Sequence, residues 1–276
     1  MTTATLDAAT FDYVRTLVHE RSAIALEPTK GYLVESRLMP IAKQRGHHSL
    51  AEMVSHLRNK PYGELHAQVV EAMTTNETSF FRDAHPFEAL KTAVIPELIQ
   101  KREATKTLNI WSAACSTGQE PYTIAITLRE TFPQLANWRI QILATDLSSQ
   151  VLEKAASATY SQAEINRGLP APVLVKYFQK VGLQWQLKPE IRSQVQFQRM
   201  NLIEPWPAFA KMDVVFLRNV LIYFTPETKA KILAQVRNRL AADGSLFLGG
   251  AETTIGIDES FVRCNHGKTI TYRLKS

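Results

Sequence analysis

Apolar positions over residues 1–90 recur with helical spacing. Phe11, Val14, Leu17 and Val18 share one side of a helical repeat, as do Leu50, Met53, Val54 and Leu57. The stretch 31–46 predicts a further helix stopped at Gly46, with Pro40 expected to kink it or mark a boundary. Residues 64–76 predict a fourth. None of these segments alternates as a strand does, so residues 1–90 read as a small all-helical domain. A helical pattern over 85–103 then bridges to a second region with a different rhythm. There, short apolar runs at 108–115, 140–148, 195–201, 213–220, 245–251 and 269–274 predict strands, mostly separated by helical patterns at 121–132, 150–160 and 225–244. Strands alternating with helices imply an α/β domain over 91–276 with a mainly parallel sheet. Asp243–Gly244 reads as the helix stop before a strand. Residues 161–196, rich in Gly and Pro, break the alternation and read as an inserted subdomain containing a small antiparallel hairpin.

Composition narrows the class without naming a function. The 276 residues are 45% hydrophobic and 21% charged, ordinary for a globular protein. No apolar run approaches the ~18 residues of a membrane span. The N-terminus lacks the basic start and apolar core of a secretory signal, so a cytoplasmic protein is expected. Two cysteines, Cys115 and Cys264, make neither a disulfide framework nor a metal cluster. The net charge is +6, and between Pro28 and Lys60 six cations face two anions. That stretch is either a surface for an acidic partner or a solvated helix face.

Three predicted strand ends carry chemistry. WSAACSTGQEPYTIA (111–125) is a strand, a small-residue turn and a helix start. Small residues let a backbone approach a ligand. The single Gly118 is not GxGxxG, which disfavours a dinucleotide pyrophosphate, while Glu120 would repel phosphate and accept hydrogen bonds from an ammonium group. Asp146 ends the next strand, where an acid accepts ribose hydroxyls or caps the following helix. In FLRNVLIYFTPE (216–227), Arg218 and Asn219 follow an apolar strand and Tyr223 lies four residues beyond Asn219. In isolation these read as a capping Asn and a core Tyr. Together the three ends describe a nucleoside site without phosphate recognition, which points to S-adenosyl-L-methionine.

One stretch fits neither loop nor core. TTNETSFFRDAHPF (74–87) runs from small polar residues into two phenylalanines and an arginine. With WSAACSTGQEPYTIA, ATDLSSQVLEKAASATY, FQRMNLIEPWP and MDVVFLRNVLIYF, it gives five blocks in register along residues 10–274. In these the chain resembles the bacterial chemotaxis receptor glutamate O-methyltransferases, the CheR family. The resemblance implies an all-α N-terminal domain followed by a Rossmann-like methyltransferase domain with an inserted small β-subdomain. It implies S-adenosyl-L-methionine as cofactor and S-adenosyl-L-homocysteine as product. Cofactor-contacting positions fall on Asn76, Thr78, Arg82, Glu120, Asp146, Asn201, Leu202, Asn219 and Val220, and Arg82 and Tyr223 match residues near the transferred methyl group. Lys30, Arg37, Lys43 and Arg45 match the basic helix that meets the methylation helices of chemoreceptors. A monomer that neither enters membranes nor binds nucleic acid is expected.

The chain also departs from the family. Gln119 replaces a common glutamate, and Gly249-Gly250-Ala251-Glu252 stands where GHSE is frequent. The β-subdomain loop, QKVGLQWQLKPE, is short with only Gly182, so docking on a receptor's C-terminal pentapeptide is not expected. Two rival readings are a catalytically weak cofactor-binding interaction module and a methyltransferase acting on another substrate, such as RNA or a small molecule. A dehydrogenase is disfavoured by the missing glycine motif.

Overall fold

The computed structural model describes residues 6–275. The chain forms two compact units, one running up to Thr75 and joined by Tyr223–Thr228, the other comprising Asn76–Ile222 and the chain from Lys229 onward.

The first unit is helical. α1 (Ala8–Ser22) starts at Asp7, whose carboxylate accepts from Thr10 N at 2.8 Å. A single 3-10 turn, Pro28–Lys30, leads into α2 (Gly31–Gln44), which continues through Pro40, so that residue marks no boundary. α3 (Leu50–Arg58) is capped by Ser49, while Glu52 takes the N–H of His48 at 2.7 Å. α4 (Glu64–Ala72) ends four residues short of the expected 76, because Thr74 Oγ turns back onto Glu71 O at 2.6 Å and competes with the helical ladder. The core is the predicted apolar stripes of α1 and α3 with Val34, Leu38, Val69 and Val70. Each fully buried aliphatic contributes about 1.5–3 kcal/mol. His66 is buried among them and satisfied at both nitrogens, by Gly63 N and Leu57 O.

The second unit opens with α5 (His85–Ala89), which passes through one π-helical turn (Leu90–Val94) into α6 (Ile95–Lys101). The wider turn precedes Pro96, which has no N–H to give the ladder. This continuous helix is not a bridge: Phe87, Leu90, Val94, Ile95 and Leu98 all lie in the core of the second unit. The division therefore falls between Thr75 and Asn76 instead of at residue 90.

The remaining elements follow in order: β1 (Thr107–Ala113), α7 (Gln119–Thr131), β2 (Arg139–Asp146), α8 (Ser149–Ser157), β3 (Thr159–Ser161), α9 (Gln162–Asn166), α10 (Ala171–Tyr177), β4 (Phe178–Val181), β5 (Gln184–Leu187), α11 (Pro189–Arg192), β6 (Val195–Arg199), β7 (Met212–Leu217), α12 (Pro226–Arg239), β8 (Leu240–Leu248), β9 (Phe261–His266) and β10 (Thr269–Leu274). The main sheet runs β6-β2-β1-β7-β8-β10-β9. Its first five strands are parallel, and β10 and β9 close the edge antiparallel. Every residue of β7 is buried, as expected for a central strand covered on both faces. From β1 the chain builds outward first through β2 to β6, then through β7 to β8. The switch point thus lies between β1 and β7, and ligand crevices form at the C-terminal strand ends there.

Two local expectations are corrected. Asp243 and Gly244 do not stop a helix: α12 ends at Arg239, and both residues lie in β8 where its pairing with β7 is irregular. Asp243 pairs with Arg102, which also holds Asp213 of β7, and a Cβ at Gly244 would come within 3.0 Å of Met212 O. Glycine is there for close packing. Likewise, the helix expected over 150–160 ends at Ser157, since Ala158 turns left-handed and Thr159–Ser161 becomes a strand. The insert is a three-stranded antiparallel sheet, β3-β5-β4, with the expected hairpin as two of its strands.

Glu97 of α6 joins the first helix of this unit to its sheet. Its carboxylate accepts from Arg273 of β10 at 3.0 and 2.5 Å and from Lys101 at 2.7 Å. The hydrogen bonds from Arg273 hold its carboxyl down at about 2, against partial desolvation, with Lys101 adding to the effect. A depressed carboxyl stabilises the fold above its ordinary value and loses that contribution as pH falls toward the folded one. Glu97→Gln is expected to lower the melting temperature by a few degrees at pH 7, and the gap to the parent should close as pH falls from 4.5 toward 2. Melting curves at pH 7, 4 and 3 read this; a gap independent of pH contradicts it.

Candidate functional site

The loop after β1 turns on alternate left-handed residues, with φ of 57° at Ala114, 51° at Ser116 and 91° at Gly118. At Gly118 the requirement is packing as well as backbone freedom. A Cβ there would meet Ala155 Cβ at 3.0 Å and the Tyr122 ring at 3.2 Å, where α7 seats on α8. A small residue in this turn is expected to admit a ligand, but the close neighbours of Gly118 are helix side chains. Glu120, in the first turn of α7, accepts from Ser112 Oγ at 2.8 Å and from Arg218 Nη1 at 2.9 Å.

Asp146 ends β2. One carboxylate oxygen accepts from Ser116 N at 2.8 Å and the other from Ser148 N at 3.0 Å. The cap of α8 is Ser148, which accepts from Val151 N, so the capping alternative for Asp146 does not hold. Asp146 instead stitches the β1 loop to the end of β2. Its carbonyl also accepts from Met200 N at 2.9 Å, which brings Asn201 and Leu202 to the same strand end. Asn201 is shaped locally by bonds with Ile203 N and Glu204.

The end of β7 carries Arg218, then Asn219 at φ 58°, then Val220. Glu252, in the loop after β8, gathers four backbone N–H groups: Asn219 at 2.8 Å, Val220 at 2.9 Å, Ile222 at 3.3 Å and Gly249 at 2.6 Å. A Cβ at Gly249 would lie 2.7 Å from Glu252 Oε2 and 2.8 Å from Asn219 Nδ2. In the Gly249-Gly250-Ala251-Glu252 stretch, the outer glycine and glutamate therefore shape the Asn219–Val220 backbone. Sequence reasoning noted this stretch only as a departure; the available signal was a glycine three residues before an acid at a strand end.

The segment 76–84 lies against these strand ends. Ser116 Oγ donates to Asn76 O at 2.7 Å, and Phe81 N donates to Thr123 Oγ at 3.2 Å. Phe80 is fully buried and edge-on to Tyr160 and Phe178 at 5.0 and 5.6 Å. Gly168, at φ 94°, passes so close that a Cβ would sit 2.2 Å from Phe80 O. Phe81, Asp83 and Ala84 are left-handed, with φ of 50°, 68° and 46°. Such residues cost about 1–3 kcal/mol each and persist only where the surroundings over-determine them. Arg82 Nη1 donates to Glu77 O at 2.9 Å. Thr78, half-buried, lies between Asn76 and Phe80 on this segment.

The structure thus brings Asn76, Thr78, Arg82, Glu120, Asp146, Asn201, Leu202, Asn219 and Val220 together within the second unit. Tyr223 is grouped with the first unit, where its carbonyl accepts from Ala25 N at 3.4 Å. Of the four basic residues, Arg37 caps α4 through Ala72 O and Thr74 O, and Arg45 binds Glu64 and Gln68. Lys43 is exposed and Lys30 half-buried. Cys115, beside the β1 loop, is no nucleophile: burial, then the Asp146 and Glu120 charges, push its thiol well above the ordinary value. Among the described residues no group of His, Cys, Asp and Glu could hold a metal ion, and no helix is long and apolar enough to cross a membrane.

Known proteins share this organisation. Residues 9–74 match the family model described as the CheR methyltransferase all-alpha domain, and residues 76–270 match the CheR methyltransferase SAM binding domain. The chain is 42% identical to a chemotaxis protein methyltransferase of Pseudomonas putida, over all of both chains. It is 42% identical to chemotaxis protein methyltransferase 1 of Pseudomonas aeruginosa over 97% of this chain and 98% of that one. A chemotaxis protein methyltransferase of Vibrio parahaemolyticus is 36% identical over the whole of both. With an all-α domain, a Rossmann-like sheet whose strand ends carry the expected S-adenosyl-L-methionine positions, and matches along nearly its full length, the chain belongs to the CheR methyltransferase family.

Proposed function

We propose that this protein transfers the methyl group of S-adenosyl-L-methionine to glutamate side chains of chemoreceptors, leaving methyl esters and S-adenosyl-L-homocysteine. The observation that carries this reading is the meeting of two carboxylates, Glu120 and Asp146, with the Arg82 segment at the switch point of the sheet.

The donor set fits the cofactor. A pyrophosphate would be repelled by two acids, whereas an ammonium group and ribose hydroxyls need acceptors. An ionised carboxylate can accept several hydrogen bonds at once, so bonds to the protein do not by themselves preclude bonds to the cofactor. Glu120 would take the amino group and Asp146 the ribose hydroxyls, with Asn76, Thr78, Asn201, Leu202, Asn219 and Val220 completing the wall. When bound, the cofactor supplies a sulfonium methyl open to in-line displacement.

Everything else asked of the protein is positioning. A glutamate side chain is already ionised at neutral pH, so the site needs no general base. Arg82 would hold the incoming carboxylate by charge-assisted hydrogen bonds. The gain comes from alignment and exclusion of water. Each ester removes one negative charge from a receptor helix and relieves repulsion between like charges there. The exposed Lys43 of α2 and Lys30 just before that helix would meet the acidic methylation helices, while Arg37 and Arg45 contribute more to the helical unit itself. The enzyme acts in the cytoplasm, where receptor signalling regions lie, as a single chain.

Docking on a receptor tail is not part of this reading. The β4–β5 connection is a tight turn at Gly182–Leu183, without a long glycine-rich loop.

Labelled methyl incorporation into cytoplasmic receptor fragments, followed by mild base, tests the function. Base-labile label on glutamate is expected; base-stable label, or preferential labelling of RNA, contradicts it. In the same assay Arg82→Ala should lower turnover about a hundredfold or more, the scale expected when a positioning group is lost. Near-normal turnover removes Arg82 from this role. Titration with a free receptor-tail pentapeptide should show no tight binding, and a clear saturating isotherm would overturn tail independence.

A further inference from the structure

Arg218 is the residue through which the cofactor end and the acceptor end of the site are joined. It stands immediately after β7, and only 2% of its side chain is exposed. One guanidinium nitrogen, Nη1, donates to Glu120 Oε2 at 2.9 Å. The other, Nη2, donates to Asp83 Oδ2 at 2.7 Å and to the carbonyl of Arg82 itself at 3.2 Å. Its guanidinium carbon lies 5.9 Å from the Phe87 ring centroid, so an aromatic face limits where the fork can go.

The segment it holds is strained. Phe81, Asp83 and Ala84 are all left-handed without being glycine, and Arg82 sits between them. Such a backbone needs outside bonds to persist. Gly168 against Phe80 O and Thr123 against Phe81 N fix the stretch before Arg82, whereas Arg218 fixes Arg82 O and the Asp83 side chain. A lysine ammonium is a point charge and cannot span Glu120, Asp83 and a carbonyl in one plane as a guanidinium fork does.

We infer that Arg218 is a positioning residue for methyl transfer: it sets the Arg82 backbone, and so the placement of the acceptor carboxylate, relative to the Glu120 end of the cofactor site. The inference rests on the assignment of Arg82 to the acceptor and of Glu120 to the cofactor, and it adds the element that links them. Because Arg218 reaches the acceptor side through backbone, losing it should misplace the acceptor more than it weakens the cofactor.

Arg218→Lys keeps the charge beside both carboxylates, and Asp83→Asn probes the same link from its other side. Three readouts on the full chain separate the outcomes. Calorimetric titration with S-adenosyl-L-homocysteine should give a dissociation constant within about fivefold of the parent for both variants, while kcat at saturating cofactor falls about ten- to a hundredfold, the range expected for a misplaced reacting group. In a double-mutant cycle the two losses should be far from additive, as for residues that act as a unit. Hydrogen exchange at residues 81–84 should accelerate in both variants while β1 and β7 keep the parent rates.

A Lys variant with kcat within threefold of the parent, or unchanged exchange at 81–84, overturns the inference. So does a loss confined to cofactor affinity, which would make Arg218 a partner of Glu120 only. The exchange and calorimetry arms need no acceptor. Absent methyl ester formation by the parent would therefore count against the proposed function, while those two arms still decide the role of Arg218.

Discussion

A buried guanidinium between carboxylates is the interaction on which the site depends. Arg218 is almost fully enclosed, and Glu120 beside it is only 14% exposed. Taking such charges out of water costs several kcal/mol per ion and is tolerated where geometry and hydrogen bonding compensate. Here the compensation comes from Ser112 on Glu120, from Asp83, and from the Arg82 carbonyl. Removing one partner would leave an uncompensated buried charge, typically at about 3–5 kcal/mol. The arrangement is therefore hard to deform, which is what a reaction driven by alignment needs.

The same logic recurs around it. Asp146 and Glu252 each collect backbone N–H groups at a strand end, and each fixes a turn that the sheet alone would leave open. Asp146 binds the β1 loop to β2; Glu252 binds the loop after β7 to that after β8. Glycine appears where these contacts leave no room for a Cβ, at Gly249 against Glu252 and at Gly168 against Phe80 O. Of these two acids, Asp146 is also the one that the proposed function assigns to the cofactor.

Much of this was legible in the sequence, for identifiable reasons. β7 is buried throughout and reads as a near-continuous apolar run, while β1 and β2 are buried toward their C-terminal ends, and the polar and acidic residues ending or following these strands stand out against that background. β9 shows no strand pattern in the sequence because FVRCNH is half-exposed and carries charge along an edge. β3 is hidden in the sequence because its three residues continue a helical pattern that the structure ends at the left-handed Ala158. The links of Arg218 were hidden for a different reason. Asp83 and Glu120 lie 135 and 98 residues away, and no local pattern reports a pairing at that distance. TTNETSFFRDAHPF was recognisable as unusual, but its left-handed backbone follows from partners elsewhere in the fold.

Held by Glu120, Asp83 and the Arg82 carbonyl, Arg218 acts as part of the protein's framework and not as a ligand contact in the role inferred for it. A crystal structure of the S-adenosyl-L-homocysteine complex tests it most directly. The ligand's amino group is expected within about 3.2 Å of Glu120 and its ribose hydroxyls at Asp146, with the bonds of Arg218 to Glu120, Asp83 and the Arg82 carbonyl all retained. An Arg218 that has left Glu120 and Asp83 to pair with the ligand's carboxylate would contradict it.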